Sequence, residues 1–173
     1  MGEDLNRRVL YQSEREIELM IETIKNILSS MEVSDWIITE EQSASKELFF
    51  VKDKLDMNRG TDIHEFAVRV FVDFQEGEER YKGDADVVLS PLDSVEELTK
   101  KLEQAAFSAK FVKNKWYPLL VNTATEYPVM KKSDNIKALN EYYDDLHQVF
   151  YQDYGYTSKV NSCELFAIEG TKR

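Results

Sequence analysis

ELFFVKDKLDMNRGTDIHEFAVRVFVDF, Glu47 to Phe74, is the stretch on which the fold turns. In its second half His64, Phe66, Val68, Val70, Val72 and Phe74 share one face, opposite Glu65, Ala67, Arg69, Phe71 and Asp73. A period of two is the mark of a strand with one face on a core, because successive side chains of an extended chain point to opposite sides. The first half, ELFFVKDKLDM, alternates similarly, with Phe49, Val51, Leu55 and Met57 on one side, interrupted by Asp53, and Lys52, Lys54 and Asp56 on the other. Working outward, DWIITEE from Asp35 reads as a strand before it. ERYKGDADVVL, Glu79 to Leu89, reads as a strand after it. Gln42–Ser45, Asn58–Gly60 and Gln75–Glu78 look like the turns between them. Short links between alternating strands imply an antiparallel meander of four strands.

Helices flank the meander. Ser13-Glu14-Arg15-Glu16 is a capping-box pattern, and Ile17, Met20, Ile21, Ile24, Ile27, Leu28 and Met31 follow at three- and four-residue steps, which predicts a helix over 13–31. After Pro91, which stops strand pairing, Asp93 or Ser94 can cap a second helix carrying Val95, Leu98, Leu102, Ala105, Ala106, Ala109 and Val112. The expected fold class is α+β: an antiparallel four-stranded sheet packed against two helices, followed by a helix-strand segment. Residues 1–113 form the N-terminal α+β domain in this reading. Residues 114–132, with Pro118 and Pro128 and no sustained period, form a linker. Residues 133–173 read as the helix-strand start of a further, incomplete domain, with a helix over 133–154 ended by Gly155 and a strand over 160–168.

Composition narrows the function classes. The chain has 173 residues, 42% of them hydrophobic, with 9 Phe, 9 Tyr and 2 Trp, which is enough for a real core. Its 22 basic against 33 acidic side chains give a formal charge of −11, so the long-range field opposes broad attraction to nucleic acid or anionic membranes. No run approaches a membrane span, and MGEDLNRRVLYQ is too polar for a secretory signal, so a cytoplasmic protein is expected. The single cysteine, Cys163, cannot close an internal disulfide.

The chemistry-bearing residues give no constellation. His64-Glu65 resembles the first half of a zinc-protease helix motif, but Val68 stands where the second histidine is needed and the segment alternates as a strand. Asp84/Asp86 and Asp144/Asp145 are carboxylate pairs that read as solvated faces. Cys163 has no base beside it in sequence, His147 belonging to another element. Tyr142, Tyr143, Tyr151, Tyr154 and Tyr156 read as packing or an interface rather than a stacking platform. In KFVKNKWYPLL, Lys110 and Lys113 sit where cations complement a helix C-terminus, Asn114 suits a helix stop, and Trp116 and Tyr117 can fold back as a hydrophobic clasp before Pro118. No catalytic, cofactor-binding or metal-ligating residue is expected in this chain.

The order of elements, with AAFSAKFVKNKWYPL closing the second helix and the Glu47–Phe74 strand pair, resembles the N-terminal domain of the TldD/PmbA family over about residues 17–118. That family comprises metallopeptidases and their metal-free partners, historically called modulators of DNA gyrase. Where the family commonly has a glycine-rich G-x-G-V-R-V strand, this chain has His64-Glu65-Phe66-Ala67-Val68-Arg69-Val70, the mark of a divergent branch. The resemblance implies a non-catalytic N-terminal portion of a peptidase-associated protein, framing the substrate chamber or subunit interface. It implies zinc in a TldD-like parent and none in a PmbA-like one, with the metal motif C-terminal to these residues. It implies a peptide or unfolded-protein substrate reached through the parent, a homo- or heterodimer of family subunits, and no nucleic acid or membrane partner. A self-sufficient protein-interaction module, or a small-molecule-binding domain, fits the periodicity equally well. Only the resemblance separates them.

Overall fold

The computed structural model describes residues 14–52, 54–120, 135–141, 143, 145, 148 and 162–172. Its elements run α1 (Glu14–Ser29), β1 (Asp35–Val51), β2 (Lys54–Glu76), β3 (Glu79–Leu89), α2 (Val95–Ala109), β4 (Asn114–Lys115), α3 (Asn135–Glu141) and β5 (Ser162–Lys172). The α+β class is as expected, with an antiparallel sheet of order β4-β3-β2-β1-β5. That sheet has five strands rather than four, and three helices are described rather than two. The helix-strand segment at 133–173 supplies the fifth strand, because β5 pairs with β1. Residues 114–132, expected as a linker, begin with β4, which pairs with β3 through Tyr81 and Lys82.

Two expected turns are extended, and the real one lies between them. Gln42–Ser45 stays in β1 because β5 runs alongside, setting Gln42 opposite Thr171, Ser43 opposite Gly170, Ala44 opposite Glu169 and Ser45 opposite Ile168. Ladder pairing overrides the turn preference of small polar residues. Asn58–Gly60 stays in β2, where Arg59 pairs with Glu47 and the Ser45 and Thr61 hydroxyls meet at 2.6 Å. These pairs and Gln42–His64 share one antiparallel register. β1 ends at Val51 and β2 begins at Lys54, with Lys52 at φ 56. Alternation alone cannot see such a hairpin, since both arms continue the same period. The third expected turn is present, with Gly77 at φ 63 between β2 and β3, a conformation in which glycine meets no Cβ penalty.

The chain divides into two compact units. Among the described residues, the first takes those up to Glu40 together with 65–120, and the second takes 41–64 with those from Asn135 onward.

In the first unit α1 and α2 cover the β2–β3 face. Ile17, Ile24 and Leu28 of α1 and Leu98, Leu102, Ala105 and Ala109 of α2 close over Phe66, Val68, Val70, Val72 and Leu89. Each such aliphatic side chain, fully buried, contributes about 1.5–3 kcal/mol before entropy is counted. The Ser94–Glu97 capping box starts α2, satisfying two end donors reciprocally. The matching box expected at Ser13 lies outside the described residues. Helix α2 ends at Ala109, earlier than its pattern suggested, and its C-terminus lies directly on β3. A Cβ at Gly83 would stand 1.8 Å from the Ala109 carbonyl oxygen and 2.7 Å from that of Val112. Only glycine admits this approach.

In the second unit the far ends of β1 and β2, the whole of β5 and α3 come together. Leu48 and Phe50 are buried, and Phe50 stacks on Tyr143 with ring centroids 5.6 Å apart. The Glu169 carboxylate of β5 accepts hydrogen bonds from the Asn135 and Ile136 amides at the start of α3. β5 spans 162–172 where 160–168 was expected, and the expected reach of α3 to Tyr154, like its stop at Gly155, falls largely outside the described residues.

Candidate functional site

The strongest concentration of charge in the first unit is on the sheet face away from the helices. Because Asp73 of β2 is paired with Lys82 of β3, both point to that face, along with Phe71 and Asp84. Lys82 is 1% exposed, an unusual place for a lysine. Its Nζ lies 2.8 Å from Asp35 Oδ2 and 2.6 Å from Asp73 Oδ1, and 5.8 Å from the Phe71 ring centroid.

The KFVKNKWYPLL stretch completes this cluster. Lys110 caps α2, Asn114 and Lys115 pair with β3, and the chain then lays Trp116 against the sheet. The Trp116 indole Nε1 donates to Asp73 Oδ2 at 2.6 Å, its amide donates to the Arg80 carbonyl at 3.2 Å, and the Arg80 guanidinium carbon sits 4.3 Å from its ring centroid. Ser34 adds a hydroxyl donor to Asp73 at 3.2 Å.

These contacts fix the charge states. Burial pushes the Lys82 ammonium toward neutrality, but the hydrogen bonds from it to Asp35 and Asp73 outweigh burial and hold its pKa above the ordinary lysine value. Burial likewise pushes the Asp73 carboxyl up, while Lys82, Trp116 and Ser34 bring it below the ordinary carboxylate range. A lysine held protonated and an aspartate held ionised are the reverse of a proton-transfer pair near neutral pH. The cluster fastens the 114–117 segment to the sheet.

The residues singled out in the sequence do not converge. His64 lies within β2, its Nε2 at 3.4 Å from Gln42 Nε2. Asp86 takes a two-pronged ion pair from Arg69, both bonds 2.7 Å, and is lowered by it; Asp84 accepts from Asn114 at 2.8 Å. Cys163 is half-buried in β5 opposite Phe50. Lys113 pairs with Glu76 at 2.6 Å, and Lys110 is 3.9 Å from Glu32. Asp144, His147 and Tyr142, Tyr151, Tyr154 and Tyr156 lie outside the described residues. Among the described residues no three His, Cys, Asp or Glu side chains gather as metal ligands would, so these residues do not fit a zinc site. In the second unit an open depression of about 250 Å³ is lined by Leu48, Leu55, Asn58 and Tyr143, without a charged group.

Sequence reading missed the Lys82–Asp35–Asp73 cluster. Alternation along Glu79–Leu89 sets Lys82 with Asp84 and Asp86, opposite Tyr81, Ala85, Val87 and Leu89, which reads as a solvated face. The available signal was that the Gly77 turn sets Lys82 opposite Asp73.

No family model and no curated protein matches the chain. Solved structures do. A proposed modulator of a DNA gyrase from Thermotoga maritima superposes with a TM-score of 0.55 at 17% identity, over 88% of this chain and 34% of that one. TldE from Thermococcus kodakarensis gives 0.51 at 16% identity, over 91% of this chain and 37% of its own. The chain has a TldD/PmbA-like fold. It spans about a third of the length of either structure. No helix among the described residues is long and apolar enough to cross a membrane.

Proposed function

We propose that the chain is the non-catalytic N-terminal portion of a TldD/PmbA-like protein, a cytoplasmic peptidase subunit or its metal-free partner, framing the substrate chamber or the subunit interface. The observation that carries this reading is the fold likeness, which extends over nearly nine-tenths of this chain but about a third of each neighbour. The chemistry of the chain is consistent with it. Among the described residues, Lys82, Asp35 and Asp73 are committed to one another, and Asp84 and Asp86 to Asn114 and Arg69. Zinc, where the parent uses it, is held by residues other than those described here, and peptide or unfolded chain reaches the site through the parent.

Two measurements test this. The intact mass of the native product should be about three times the 20.2 kDa of these residues, since they span about a third of each neighbour; a native product of 20.2 kDa overturns the reading. The isolated chain, incubated with zinc and unstructured peptides, should cleave none. Chelator-sensitive cleavage with one zinc retained per chain would overturn the non-catalytic assignment.

A further inference from the structure

We draw no further inference here: the strongest candidate, the exposed surface patch made by the edge-to-face pair Phe107 and Phe111 at the C-terminal end of α2, is an apolar face for which nothing among the described residues shows what covers it.

Discussion

The two units are threaded by the same pair of long strands, β1 and β2, and are stabilised in different ways. The first lays two amphipathic helices on one sheet face, and nearly all of the buried hydrophobic side chains among the described residues are there. The second has Leu48 and Phe50 buried among its described residues and relies on cross-strand polar pairs, Glu47–Arg59, Ser45–Thr61 and Gln42–His64. Burial is cooperative across many side chains, whereas each cross-strand pair adds only a few tenths to about 1 kcal/mol. The strands are thus clamped where the helices lie and held more lightly where β5 runs.

Two strand glycines, Gly83 in the first unit and Gly60 in the second, probe this contrast most sharply. Gly83→Ala drives a methyl into the Ala109 carbonyl at 1.8 Å, backbone against backbone, so α2 must lift from β3. A loss of about 3 kcal/mol or more in urea denaturation is expected. Gly60→Ala in the second unit meets the Ser45 carbonyl at 3.0 Å, which a shift of a few tenths of an ångström relieves, at a cost of about 1 kcal/mol. Equal losses at the two sites would mean that both units are equally tightly packed, and the contrast would fall.

Next in size is Lys82→Met, which leaves Asp35 and Asp73 without their shared cation. Both carboxylates retain access to water, so the expected loss is about 2–4 kcal/mol, toward the lower side of what breaking a buried ion pair costs. The emission of Trp116, fastened to Asp73, should change at the same time. A methionine variant as stable as the original would show that the lysine is no more than a replaceable filler of that space.

How much of this was legible before the structure follows the same division. The helix-covered strands were read correctly down to the face that Phe66, Val68, Val70 and Val72 present, because burial on one side imposes alternation on sequence. The ends of β1 and β2 were misread. Gln42–Ser45 and Asn58–Gly60 are turn-like by composition and are held extended by β5 and by Arg59–Glu47, partners distant in sequence. The Lys82 cluster was missed for a related reason: the Gly77 turn sets Lys82 opposite Asp73, but Asp35, which completes the cluster, is distant in sequence.

Acid should loosen the first unit in a predictable window. Asp73, Asp86 and Asp93 are held below the ordinary carboxylate value of 3.8, Asp73 and Asp93 by hydrogen bonds from Lys82 and Lys101 that outweigh burial, Asp86 by Arg69. A lowered folded-state pKa gives stability that is fully present above the unfolded value and is lost as pH falls through the folded one. Stability should therefore be flat above about pH 5 with respect to these groups and decline below about pH 4. Trp36 and Trp116, both in this unit, report the transition by fluorescence. Asp73→Asn should lower stability at pH 7 and make the acid decline shallower; an unchanged slope would mean that Asp73 is not among the groups responsible.

In the second unit, Arg59→Ala leaves the Glu47 carboxylate 7% exposed and without this partner, for an expected loss of about 1–2 kcal/mol. Hydrogen exchange should place most of that loss in the amides of 44–48 and 58–62, with the Leu102 and Val68 amides unaffected. Protection lost evenly across both units would show that they unfold as one, and the lightly held end of the strands would have no separate existence.

The smallest effect belongs to Lys110, Lys113 and Lys115. Lys110 and Lys113 carry exposed ion pairs, to Glu32 at 3.9 Å and to Glu76 at 2.6 Å, of a kind that contributes about 0–1 kcal/mol and is screened by salt. Replacing all three with Gln should lower stability by less than about 1 kcal/mol, because the 114–117 segment stays fastened through the Trp116 indole and the β3–β4 pairing. The same variant separates helix-end chemistry from an anion site. With a formal charge of −11 and two of the three lysines already facing carboxylates, neither the original chain nor the variant should bind DNA or RNA measurably at physiological salt. Tight binding by the original that weakens steeply with salt and disappears in the variant would mean that these lysines serve a phosphate backbone.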